Sequence, residues 1–338
     1  MAWTNLGSEL PTLTGRAFGD FVAAEIRRWG EVARAAGAKL DRSRLSSLSP
    51  VSSSTSSTSS TSSTSSTFAT FATPAPTSSV TFAPHPEWAG VALLTLSNPG
   101  KLNAVSVAMW QRLRELFEGL AEREPALRCV VVRGEGGCFV SGGDIEEFPA
   151  FRFDAARLRH FHEQIVAPAL AAMYRCDIPL VAQIERACVG GGLEIACQCD
   201  LRIAGASSRF GAPIARLGFP MAPDELAGVA RVAGLATAAE ILLEARLLDA
   251  PTALQRGLVH RVVADDAVAA EAEATARRIA AGAPRAARLN KRTLRLVAAQ
   301  FHFSEAERAE LAAYANGPDH REGITAFIEK RPPQFTGQ

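Results

Sequence analysis

Residues 188–200 read CVGGGLEIACQCD: three successive glycines, then Glu194 set among Leu193, Ile195 and Ala196. Glycine weakens helices and strands, so a triplet is kept where the backbone must do something that a side chain forbids. A carboxylate among apolar residues is also costly unless it is used. Upstream, PLVAQIERACV (179–189) has the character of a buried strand, and LEIACQC has helical character. Gly190, Gly191 and Gly192 therefore fall where a helix begins. The first turn of a helix presents N–H groups with no intrahelical partner and the positive end of the helix dipole. With no side chains in the way, an oxygen gathering negative charge can approach those donors closely. Alone, such a turn more often serves tight packing.

A second glycine pair changes the weighing. CFVSGGDIEEF (138–148) follows a strand that begins CVVVRGEG at Cys129, and it puts Gly142 and Gly143 at another strand-to-helix turn, beside Asp144. Two such turns supply two converging donors, which is what a developing enolate oxygen requires.

Around these turns the chain alternates strands and helices. VALLTLS (91–97) reads as a strand, and the apolar spacing of Trp110, Leu113, Leu116, Phe117 and Leu120 predicts a helix at about 106–120. LRIAGA (201–206) and SSRFG (207–211) are short strands, and from Asp224 onward the pattern is almost all helical. This is an α/β core with a helical C-terminal extension. Upstream, residues 52–67 read SSSTSSTSSTSSTSST, which cannot bury apolar area and reads as a disordered linker. The expected domains are a short amphipathic helical head (1–45), a Ser/Thr-rich linker (46–79), a core (80–265) and the C-terminal helices (266–338).

The 338 residues carry a net charge of +1, which favours neither a nucleic-acid nor a membrane-surface partner. No stretch approaches the ~18 uninterrupted apolar residues of a membrane helix. The N-terminus MAWTNLGSEL lacks the pattern of a signal peptide, and the six cysteines form no zinc-spaced set, so buried reduced thiols in a cytoplasm are expected. His160 and His162, at i and i+2, fall on different helix faces, which argues against shared metal binding. No metal and no redox cofactor is expected.

Four motifs in order, NPGKLNAVS (98–106), CFVSGGDIEEF, ACVGGGLEIACQCDLRIAG and RFGAPIARLGFP, together with EGITAFIEKRPPQF near the end, resemble the crotonase superfamily, the enoyl-CoA hydratase/isomerase family. The similarity covers about 80–338. It implies a crotonase-like spiral of ββα turns with two sheets, C-terminal helices that build a homotrimer or dimer of trimers, and an acyl-CoA thioester as substrate, with coenzyme A as part of that substrate. By position it makes Gly143 and Gly191 the two oxyanion donors and Glu194 a catalytic acid/base. Lys101, Leu102, Asn103 and Ala104 match the loop that receives the nucleotide end of coenzyme A, mostly through backbone. Lys291 and Lys330 stand where the family often places phosphate-binding lysines, with a solvated surface lysine the plain reading of each. Separately, LGSELPTLTGRAFGDFVAAEIRRWGEVARAAGAKLD (6–41) resembles the C-terminal tail of the solute-binding receptors of tripartite tricarboxylate transporters.

One departure stands out. The hydratases of this family carry a second glutamate directly after a Gly-x-Pro, whereas here Gly211, Ala212 and Pro213 are followed by Ile214. One carboxylate can still remove and return a proton. A substitute acid is sought among Asp144, Glu146, Glu147, Asp224 and Glu225. Asp224 follows Pro223, so its plain reading is a helix N-cap, and Asp144 has a plain reading as the cap of its own turn. The expected function is an enoyl-CoA hydratase-type enzyme. The alternatives are an isomerase, another activity of the fold (thioester hydrolysis, decarboxylation or carnitinyl-CoA-type chemistry) and a non-catalytic CoA-ester-binding protein.

Overall fold

The computed structural model describes residues 77–299 and 304–337. The head expected at 1–45, its receptor-tail resemblance and the linker as far as residue 76 lie outside the described residues.

Six strands form the main sheet: Ser79–Pro84 (β1), Val91–Ser97 (β2), Cys129–Gly134 (β3), Leu180–Ile184 (β4), Leu201–Gly205 (β6) and Arg261–Val263 (β9), in the order β1-β2-β3-β4-β6-β9. β1 is antiparallel to β2, and every other neighbour pair is parallel. Period-two side chains explain why this sheet has two covered faces. Val130, Val132, Leu180 and Ala182 pack with Met109, Trp110 and Leu113 on one side. Cys129, Val131, Val181 and Ile203 pack against Ala272 and Ala276 of the helix Val268–Ala280 on the other.

The single strand expected at 179–189 is two strands in two sheets. Arg186 takes φ +55° and turns the chain out of the main sheet. Beyond it Ala187–Val189 (β5) joins Arg209–Gly211 (β7) and Leu248–Asp249 (β8) in a second sheet, ordered β5-β7-β8. Glu185 and Arg186 mark this corner, but two polar residues inside a largely apolar run do not by themselves show that the chain changes sheet. β8 and β9 likewise interrupt what the sequence presents as a helical run.

A helix follows the second glycine turn as expected, but Gly142 and Gly143 lead into a turn and the short 3-10 stretch Phe148–Ala150 instead, because Gly143 is bridged to Val105. The 107–117 helix starts after Ser106, whose hydroxyl accepts from the Met109 N–H at 3.2 Å. The Gly191–Gln198 helix is buried along its whole length. An alanine Cβ at Gly192 would lie 2.5 Å from the Val140 carbonyl oxygen, so the helix sits there only because the residue is glycine. Gly192→Ala is expected to cost about 1–3 kcal/mol of stability by overpacking, read as a lower urea midpoint at unchanged m-value.

Pro223–Leu243 is one described helix long and apolar enough to cross a membrane by length and composition. It packs on the 191–198 helix, changes course at Gly234, and buries Glu225. The C-terminal part continues through helices Pro284–Ala299, Glu305–Ala312 and Pro318–Ile328.

Lys291 is neither a surface lysine nor free for phosphate. It is buried, and its ammonium donates to the Asp200 carboxylate and to the Ile178 carbonyl, each at 2.8 Å. Lys330 is exposed and lies just past the end of the 318–328 helix rather than on it, with φ +55°.

Candidate active site

The two glycine turns are brought together by one short ladder. The Val140 N–H donates to the Ala187 carbonyl at 2.9 Å, and the Val189 N–H donates to the Val140 carbonyl at 3.0 Å. The segment entering the first turn thus runs beside β5, which enters the second. A Cβ built on Gly190 would lie 3.5 Å from the Gly142 Cα. Gly190 has φ +50° and ψ −119°, and Gly142 has φ +135°, conformations that favour glycine.

This backbone leaves two donors open. Val105 donates to the Gly142 carbonyl at 2.8 Å and accepts from the Asp144 N–H at 2.9 Å. These bonds flank Gly143, whose own N–H therefore turns away from Val105. Gly191 is the first residue of its helix, where an N–H has no intrahelical acceptor. Neither N–H is taken by a backbone carbonyl among the described residues. Both glycines line a solvent-open pocket of about 170 Å³, together with Glu194 and Glu225.

Glu194 sits in the first turn of the 191–198 helix, 7% exposed, and its carboxyl makes no hydrogen bond or ion pair among the described residues. Burial, then the charge of Glu225, pushes its pKa well above the usual carboxylate range, and the Arg152 cation opposes the shift. A carboxyl whose pKa rises on folding stabilises the fold below its unfolded pKa and loses that contribution as pH rises through the folded value. Glu194→Gln is therefore expected to be more stable than the wild type at pH 8, with the two urea midpoints converging near pH 4.

Among the substitute acids, only Glu225 reaches this pocket. It lies in the first turn of the 223–243 helix, 4% exposed, with its Oε1 2.5 Å from the His162 Nδ1. Asp224, one residue earlier, is exposed and lines a separate surface groove with Gln198 and Arg231. It is not the N-cap: Ala222 holds that position with no side-chain cap, and Asp224 stands in the first turn, where the helix dipole favours it. Asp144 is buried and turned to Lys101 (2.7 and 2.9 Å) and Asn98 (3.2 Å). Burial pushes its pKa up, but the hydrogen bonds from Lys101 and Asn98 outweigh that and hold it below the usual range. It also accepts from the Glu146 N–H at 3.2 Å, the expected cap of its turn. Glu146 pairs with Lys101 at 2.8 Å, and Glu147 accepts from the Val107 N–H at 2.7 Å. Ile214 lines the pocket as an apolar wall.

His162 and Arg152 are pocket residues that sequence reading missed. Residues Phe161–Val166 form a π-helical stretch, which aims His162 differently from the i, i+2 spacing of an α-helix. Arg152 lies with its guanidinium carbon 4.2 Å from the Phe148 ring centroid and 3.8 Å from that of Phe219. Phe148 is a sequence neighbour of Arg152, but Phe219 joins it only after folding, and nothing local shows that the pair faces the pocket.

Residues 101–104 run beside the first turn. The Leu102 carbonyl accepts from the Ser141 N–H and the Lys101 carbonyl from the Ser141 hydroxyl, each at 3.1 Å. Lys101 is engaged by Asp144 and Glu146, and the buried Asn103 amide donates to the Glu135 and Cys138 carbonyls at 2.9 and 2.7 Å. Ala104 is buried, and its carbonyl accepts from Asn98, so this loop offers a ligand its backbone and the exposed Leu102 side chain. Lys330 does not line the pocket. All six cysteines are free and buried, and burial pushes Cys129 and Cys199 up to about 12 and Cys197 up to about 11. Among the described residues no group of His, Cys, Asp or Glu has the arrangement to hold a metal ion.

A family model described as enoyl-CoA hydratase/isomerase matches residues 87–338. A mevalonyl-coenzyme A hydratase of Aspergillus fumigatus is 31% identical over 72% of this chain and 91% of its own length. A 2,3-dehydroadipyl-CoA hydratase of Escherichia coli is 31% identical over 73% of this chain and 96% of its own. A crystal structure titled as an enoyl-CoA hydratase/carnitine racemase from Magnetospirillum magneticum superposes with a TM-score of 0.72 at 42% identity, covering 74% of this chain and 94% of that one.

Proposed function

The chain belongs to the enoyl-CoA hydratase/isomerase family, and from that premise we propose that it hydrates a 2-enoyl-CoA with Glu194 and Glu225 as its acid/base pair. It is an acyl-CoA-processing enzyme of the enoyl-CoA hydratase type with a crotonase-like α/β fold. The observation that carries the finer reading is that Glu225 lines the same pocket as Glu194 and both glycine turns, so a second carboxylate is present although Ile214 replaces the usual one.

In this reading the thioester oxygen lies between the Gly143 and Gly191 N–H groups. Glu225, beside His162, takes a proton from water as the water oxygen bonds to Cβ. The double-bond electron pair moves onto the thioester oxygen, giving an enolate that the two N–H donors stabilise. Each such donor is worth about 2.7–4 kcal/mol in the transition state. The enolate then collapses and Cα takes the proton of Glu194, which burial keeps protonated. Transfer of a proton from Glu225 to Glu194 restores the starting state. Coenzyme A enters as part of the substrate, received along Lys101, Leu102, Asn103 and Ala104, and no further cofactor is used. Lys330 remains a candidate for its phosphates, supported by its exposure.

Ile214 favours a second reading, isomerisation, in which Glu194 alone moves the proton. Crotonyl-CoA separates the two: hydration removes the conjugated-thioester absorbance, whereas an isomerase leaves crotonyl-CoA unchanged and creates that absorbance from a 3-enoyl-CoA. A homotrimer or dimer of trimers belongs to the same proposal, supported by the apolar side chains of Leu235, Leu243, Phe327 and Ile328, which are exposed in the single chain. A cytoplasmic setting is supported by six unpaired thiols. The proposed core at 80–265 and helical extension at 266–338 are supported by the last strand ending at Val263 and a long helix starting at Val268.

A further inference from the structure

Arg152 is a cation that the proposed chemistry does not use. It lines the active-site pocket, yet it forms no ion pair within 4.0 Å of any carboxylate among the described residues. Its Nε is buried without a hydrogen-bond partner. Glu225, whose charge acts on Arg152 more than that of Glu194 does, is instead held by His162. The guanidinium is fixed over the Phe148 and Phe219 rings, which meet edge to face with centroids 6.1 Å apart. Cation–π contact holds the plane of the group but satisfies none of its N–H donors. Around it the wall is apolar: Phe161, Val166, Leu217, Phe219 and Met221.

An arginine stays charged in proteins, and its planar fork matches a carboxylate in two parallel hydrogen bonds. A half-buried, pre-positioned guanidinium with an unpartnered Nε costs stability in the free enzyme, and an anionic partner recovers it. We propose that Arg152 recognises a carboxylate on the acyl chain, so that the preferred substrates are CoA thioesters of dicarboxylic acids rather than of simple fatty acids. This rests on the pocket being the acyl-CoA site of the proposed function. The competing role, in which Arg152 only balances the charges of Glu194 and Glu225, predicts no discrimination between acyl chains.

The test is calorimetric binding of unreactive saturated thioesters to the full chain: glutaryl-CoA and adipoyl-CoA against butyryl-CoA and hexanoyl-CoA. Wild type is expected to bind one of the carboxylate-ended esters at least tenfold more tightly than its methyl-ended counterpart. Arg152→Met is expected to erase that preference while binding the methyl-ended esters within about threefold of wild type, and Arg152→Lys to retain part of it. Thermal melts of all three proteins establish that they fold. Equal affinity of wild type for both end groups overturns the inference and leaves the active-site reading standing. Equal weakening of both classes in Arg152→Met also overturns it, in favour of charge balance. Binding of none of the four esters overturns the inference and the active-site reading together.

Discussion

Glu194→Gln and Glu225→Gln are each expected to lower kcat for hydration of crotonyl-CoA by about 10²–10⁴-fold, the usual contribution of a positioned acid or base. Binding of saturated butyryl-CoA is expected to survive both changes, because an amide keeps the shape of the carboxyl and leaves the Gly143 and Gly191 donors untouched. The double variant is expected to be little worse than either single one, because the two groups act on one transfer sequence and their losses do not add. Asp224→Asn is the control. Its side chain is exposed and lines another surface, so its kcat stays at the wild-type value. Full hydration by Glu225→Gln beside a dead Glu194→Gln would return the chemistry to a single carboxylate and reject the pair. Full activity in Glu194→Gln would reject the site.

Lys291→Ala is expected to cost about 3 kcal/mol of stability, near the lower end for breaking a buried ion pair, because Asp200 keeps part of its surface in water. The loss has two sources: Asp200 is left without its cation, and the Ile178 carbonyl is left without its donor. Lys291→Met keeps the aliphatic stem, so the difference between the two variants separates packing from charge. Urea midpoints at constant m-value give both numbers. Activity per folded molecule, and KM for the thioester, are expected to stay unchanged. A raised KM with unchanged stability would instead make Lys291 a coenzyme A ligand.

Both expectations concern residues that the sequence presents ambiguously. Asp224 and Glu225 are neighbours on one helix, about 100° apart around its axis, and nothing local says which one faces inward. The direction is set by how the 223–243 helix lies on the 191–198 helix, a contact between segments distant in the chain. Lys291 stands on a helix whose polar spacing suits a solvated face, and its burial follows from Asp200 and Ile178 meeting it across the fold. The role of His162 was not legible for another reason: its partner Glu225 lies 63 residues away in the chain.

The features readable from the chain itself are those with local causes. Backbone conformations closed to side chains demand glycine, so Gly142 and Gly190 mark their turns in any context. Alternating and continuous apolar runs mark the buried strands, and Glu194 follows its turn at a spacing that one helical turn dictates. The absence of the usual second glutamate was equally plain at Ile214. What only the tertiary structure decided is which distant groups replace it and surround it: Glu225 beside His162, and Arg152 over Phe148 and Phe219. Periodicity reports the face a residue takes on its own element, whereas a pocket is made where faces of several elements converge, and that convergence exists only after packing.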